Sequence, residues 1–158
     1  HYWWTGRDHL EAARALDDLL FNVWGCRRVV VDASGVGQAV ATMLERSRGS
    51  HRVEAYAFTR PSKSDLAYEL LSQVNTGRFK VYADDASPEW REWDAEARLA
   101  RYALHANQAM DFFVRPEEGH DDFVVSAALC AWAARSWSPP AISTLRRPAR
   151  LYVDEGRY

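Results

Sequence analysis

The chain has little cysteine, no long apolar run and no excess of positive charge, and each shortage closes off a class of protein. Its two cysteines, Cys26 and Cys130, stand far apart and outside any CxxC pair. They exclude a disulfide scaffold and a zinc ribbon, and they suit a reducing compartment. No apolar stretch approaches the roughly 18 residues that a membrane helix needs. No basic start, apolar stretch and small-residue cleavage site mark a signal peptide. Lys and Arg number 20 against 22 Asp and Glu, a net charge of −2. Any nucleic-acid contact therefore has to come from local basic patches. P-loop, nucleophile elbow and HExxH motif are all missing.

What is present fits one compact domain. The 158 residues are 47% hydrophobic and 27% charged, a globular balance with room for a single core. Aromatics reach 13%, with seven Trp, which implies a well-filled core, a covered interface, or both. The chain begins at His1 and runs straight into Tyr2, Trp3 and Trp4. It reads as a piece of something longer.

Helical and strand patterns alternate. Asp8, with Glu11 three residues on, opens a helix whose apolar face is Leu10, Ala13, Leu16, Leu20 and Val23, closed by Gly25. The β-branched run 28–32 (RVVVD) predicts a buried strand. A glycine turn follows, then a helix over 36–46 and a strand over 53–58. Pro61 breaks the chain, and Ser62, Lys63 and Ser64 open a helix ending near Gly77. Residues 79–82 predict a third strand. Ser87 and Pro88 start a long helix lined by Trp90, Trp93, Ala97, Ala100 and Leu104. A fourth strand is expected over 111–114, and Asp121 or Asp122 caps a last helix, 123–136. Residues 139–158, with Arg146, Arg147 and Arg150, read as a basic C-terminal tail or linker. This alternation predicts an α/β layered domain with a mostly parallel sheet, whose chemistry gathers at the carboxyl ends of its strands.

Three segments carry chemistry. VVVDASGVG, 29–37, puts Asp32 at a strand end before a glycine turn. It serves as a metal ligand, as part of a dinucleotide site, or as a cap for its own turn. The dinucleotide pattern is incomplete, because Val40 stands where a third Gly belongs, although Glu54 lies at the distance of a ribose-binding acid. GHDDFVVSAAL, 119–129, enters a helix with adjacent carboxylates. One is explained as an N-cap, while a second presents oxygen to a hard cation such as Mg²⁺. His120 reads as a surface or supporting group rather than a ligand. Arg60, Pro61, Ser62, Lys63 and Ser64 either meet a phosphate at a helix start or form a solvated loop. The cluster Arg46, Arg48, His51 and Arg52 reads as a solvated loop.

Taken in order, Val29, Val30, Val31 and Asp32 with Gly35, Val36 and Gly37, then Lys63, then His120, Asp121, Asp122 and Phe123 with Ser126 and Leu129, resemble a known family. It is the C-terminal nuclease domain of the large terminase subunit of tailed bacteriophages. The resemblance spans about 8–134. It implies a ribonuclease-H-like mixed sheet flanked by helices, and metal-dependent cutting of concatemeric double-stranded DNA during genome packaging. Asp32 then matches the acid of the second motif, and Asp121 and Asp122 the acidic pair of the third. These carboxylates would hold one or two Mg²⁺ or Mn²⁺ ions. Lys63 would contact a phosphate or orient the site, with Arg60 and His120 auxiliary.

The family's first acid lies on an initial central strand that this sequence lacks. The resemblance therefore implies a nuclease domain over 1–138 that is truncated at its N-terminus, with weak metal binding and little or no cleavage by these residues alone. It also implies an ATPase domain upstream in the same polypeptide, contacts with portal and small terminase subunit, no membrane, and the cytoplasm of a bacterial host. Two other readings stay open. One is a different ribonuclease-H-like nuclease, a resolvase or transposase core. The other is a non-catalytic nucleotide-binding α/β module.

Overall fold

The structure, a computed structural model, describes Gly6 and residues 8–136. The aromatic start Tyr2, Trp3, Trp4 and the basic tail 139–158 lie outside the described residues. Among the described residues the fold is mixed α/β, with five α-helices and two separate two-stranded sheets. No helix among the described residues is long and apolar enough to cross a membrane.

Helix α1 (His9–Asp17) starts where Asp8 accepts the Leu10 amide at 2.8 Å. It widens into a π-helical turn, Asp18–Val23. Strand β1 (Val29–Asp32) and β2 (Val53–Tyr56) then pair in parallel around helix α2 (Gly37–Arg48), with Asp32 opposite Tyr56. Successive side chains of β1 enter different cores, as the pleat requires. Val29 and Val31 pack with Phe21, Leu44 and Val53 beneath α1 and α2. Val30 packs on the opposite side with Tyr56, Leu66, Val124 and Leu129. A parallel pair covered on both faces explains the unbroken Val run.

Helix α3 (Arg60–Asn75) begins earlier than Pro61 suggests. Thr59 and Ser62 form a reciprocal capping box, and Pro61 sits in the first turn, where its missing N–H costs nothing. Arg60 and Lys63 thus belong to a helical first turn rather than to a loop. Residues 79–82 are not a strand. Gln73 O accepts the Phe79 amide, the Phe79 ring packs near Trp93, and Tyr82 meets Trp90 edge-on, so the aromatics are used against α4.

Helix α4 (Pro88–Leu99) is shorter than its pattern predicts. Ala100 turns extended, and β3 (Arg101–Leu104) pairs antiparallel with β4 (Met110–Phe113) across a turn held by Asn107 and by Gln108 at φ 63°. Cross-strand pairing with Phe112 and Phe113 takes Tyr102 and Arg101 out of the helix. Helix α5 (Asp122–Ala134) closes the described fold. The expected single sheet is therefore two ladders, one parallel and one antiparallel.

Candidate functional site

The carboxyl end of the β1–β2 pair carries Asp32 and leads through a short loop into the first turn of α3. Asp32 ends β1 half-buried, and its Oδ1 accepts the Ser34 amide at 2.7 Å, the turn-capping role that was one of the three open to it. The glycine turn is required by geometry. Gly35 has φ 55°, and a Cβ on Gly37 would lie 2.1 Å from the Asp32 carbonyl oxygen. The turn is tied to the next loop where Phe58 N–H donates to Ser34 Oγ at 3.3 Å. That loop leads directly into the first turn of α3, with Arg60 and Lys63.

Helix α5 points its start towards the same end. Its last turns lie at the amino end of the parallel pair. There Trp132 Nε1 donates to Glu54 Oε1 at 2.9 Å, and Arg28, ion-paired to Glu54, donates to Ser136 Oγ at 3.2 Å. Since α5 packs on β1, its N-terminus with Asp121 and Asp122 is directed to the carboxyl end. Asp121 is half-buried and Asp122 and His120 are exposed.

The capping role expected of Asp121 or Asp122 belongs to another residue. The Phe123 and Val124 amides donate to Glu96 Oε2 of α4, at 2.8 and 3.2 Å. Glu96 is only 3% exposed. Burial pushes its carboxyl upward; the two amides oppose the shift, and Asp122 and Glu92 reinforce it. Sequence reasoning missed this residue. Its signal was an acid lying one turn after Trp93 on the apolar stripe of α4.

A second feature absent from the sequence reading is a cleft of about 730 Å³ between the first turn of α3 and the β3–β4 hairpin. Arg60, Lys63, Asp65, His105 and Asp111 line it. Ser64 Oγ fastens hairpin to helix by accepting the Met110 amide at 2.9 Å. Asp111 Oδ1 is sealed from solvent and accepts no hydrogen bond among the described residues; Lys63 Nζ meets it at 3.2 Å as an ion pair rather than an aligned bond. Lys63 also lies 5.8 Å from the Phe112 ring centroid. Lys63 is thus held at the cleft wall by an anion and a π face.

Among the described residues no group of three or more His, Cys, Asp and Glu is placed to hold a metal ion. Asp32, Asp121 and Asp122 are nevertheless oxygen donors of the kind Mg²⁺ and Mn²⁺ take. Mg²⁺ commonly uses one or two protein carboxylates and completes its shell with water and substrate phosphate. No family model matches the chain, and no curated protein or solved structure matches it.

Proposed function

We propose that this chain is the nuclease domain of a phage DNA-packaging terminase, a divalent-metal-dependent endonuclease with a ribonuclease-H-like fold that cuts concatemeric double-stranded DNA. The observation that carries the reading is the shared direction of two acidic motifs. Asp32 ends β1, and the N-terminus of α5 with Asp121 and Asp122 is directed to that same end. Asp32, Asp121 and Asp122 would hold Mg²⁺ or Mn²⁺, one ion or two. Such an ion lowers the pKa of a bound water and offsets charge on the phosphate. Asp32 keeps one oxygen in its turn, through Ser34, and offers the other. Lys63 and Arg60, in the first turn of a 16-residue helix, provide positive charge and a favourable dipole for backbone phosphates. Such contacts are independent of base sequence, as general cutting requires. The ATPase domain of the same polypeptide, the portal and the small terminase subunit are its proposed partners, in the cytoplasm of a bacterial host.

Plasmid cleavage tests this. Supercoiled plasmid is incubated with the chain and Mn²⁺, Mg²⁺ or EDTA, beside Asp32→Ala and Asp122→Ala. Slow metal-dependent nicking, lost in both variants, is expected. Cleavage that survives either substitution would overturn the reading, as would a folded chain that neither cuts DNA nor binds Mn²⁺.

A further inference from the structure

The cleft beside α3 has two walls, and α3 itself holds them together. Ser64 Oγ accepts the buried Met110 amide at 2.9 Å, and the Tyr68 hydroxyl donates to the Gln108 carbonyl at 2.7 Å. Ser64 and Tyr68 lie one helical turn apart, so the hairpin is fixed both at its turn and at the start of β4. The space between is preformed, as ligand sites usually are, and its volume of about 730 Å³ lies within their range. Bases reach it from both walls: Arg60 and Lys63 from α3, and His105 from the residue after β3. The amides of the helix start are already used. Pro61 has none, Ser62 N–H donates to Thr59 Oγ1, and Lys63 N–H donates to the Thr59 carbonyl. Attraction for an anion therefore rests on side chains from two elements. Asp65 and Asp111 also line the cleft. Asp111 faces Lys63 as an ion pair at 3.2 Å, with its Oδ1 accepting no hydrogen bond among the described residues. Their side chains are 42% and 34% exposed, and such a pair is weak. A phosphate oxygen gives Lys63 a stronger, charge-assisted bond, and the released carboxylate meets water.

We propose that this cleft is a phosphate-ester subsite that takes one nucleotide unit, with Arg60 and Lys63 on its phosphate and His105 reaching it from the hairpin. A bare phosphate would use little of the volume, whereas sugar and phosphate together extend from helix to hairpin. Asn107 and Gln108, beside His105 on the same wall, add donors and acceptors for the sugar. The proposal rests on the reading of Arg60 and Lys63 as phosphate contacts, and it needs no metal ion. A DNA strand and a free nucleotide carry the same ester, and the experiment separates them.

The test measures binding of a short labelled duplex by fluorescence anisotropy in EDTA, and of adenosine 5′-monophosphate by calorimetry. The full chain is compared with Lys63→Gln, His105→Ala and Arg46→Ala, and circular dichroism confirms folding. Arg46 is an exposed base of α2 outside the cleft. Lys63→Gln and His105→Ala should each weaken binding by about tenfold, the loss of one hydrogen bond to a charged group, and Arg46→Ala by less than about twofold. Where Lys63→Gln fails to fold, Arg60→Gln carries the same comparison. Duplex binding alone assigns the subsite to a DNA strand, monophosphate binding alone to a free nucleotide, and both to either. A loss in Lys63→Gln with none in His105→Ala would overturn the proposal and leave Lys63 as a DNA contact. Equal losses in all three variants would mean diffuse charge rather than a site, and would overturn it too. A wild type that binds neither ligand would sink the proposal together with the DNA-binding reading.

Discussion

Replacing Gly37 by Ala should damage the turn beneath Asp32, and the size of the effect follows from one distance. The added Cβ would stand 2.1 Å from the Asp32 carbonyl oxygen and 3.2 Å from its carbon. Ordinary contact starts near 3.4 Å, so the two backbones have to separate by about 1.3 Å. The obstacle is main chain and cannot rotate aside. Overpacking of this kind costs about 3 kcal/mol. The better helix propensity of Ala returns at most about 1 kcal/mol at the start of α2, leaving a net loss near 2 kcal/mol. Gly35 is a control with a different physical cause. It has φ 55° and open space around its Cβ position, so Gly35→Ala should lose only about 1 kcal/mol, through backbone strain. Urea unfolding of the three proteins separates the cases. A Gly37→Ala chain as stable as the wild type would refute the close approach of α2 to the end of β1.

Other consequences test the surrounding structure. Ser64→Ala strands the buried Met110 amide and should cost about 1–3 kcal/mol in urea unfolding; a change within error would show that the hairpin is held by other means. Because burial raises the Glu96 carboxyl above its ordinary 4.5, its contribution to stability is complete below that pH and fades as pH rises through the raised value. Stability of Glu96→Gln should therefore fall less than that of the wild type as pH rises above 4.5, and equal slopes would contradict the assignment. The Lys63–Asp111 pair, 34% and 42% exposed, is worth only about 0–1 kcal/mol, so Asp111→Asn should leave the fold intact. It should free Lys63 for phosphate, raise duplex affinity, and steepen the log K against log salt slope by up to about 0.9; an unchanged slope would remove Lys63 from the DNA-contacting set.

Local chemistry was largely legible in the sequence. The Val run, the glycine turn after Asp32 and the start of α4 at Ser87 and Pro88 all follow from short-range rules, and each is found within a residue or two. Tertiary competition was not legible. Phe79 and Tyr82 look like strand residues, yet their rings are worth more against Trp93 and Trp90 than in a ladder. Ala100 and Leu104 continue the helical spacing of α4, but the turn at Asn107 and Gln108 brings β4 back beside Leu104. The acids and Lys63 proposed for the site were named from motif and order alone. What holds them could not, since Glu96 meets α5, and Asp111 meets Lys63, across different elements.

The central claim is that Asp32 and the acidic start of α5 serve one cation, and a double-mutant cycle on Mn²⁺ affinity tests it most directly. Asp32→Asn, Asp122→Asn and the double variant are compared with the wild type by water-proton relaxation. Ligands of a shared ion are coupled, so the double variant should lose little more than either single one, a departure from additivity of about 0.5–3 kcal/mol. Losses that simply add, or substitutions that leave Mn²⁺ affinity untouched, would contradict a common site.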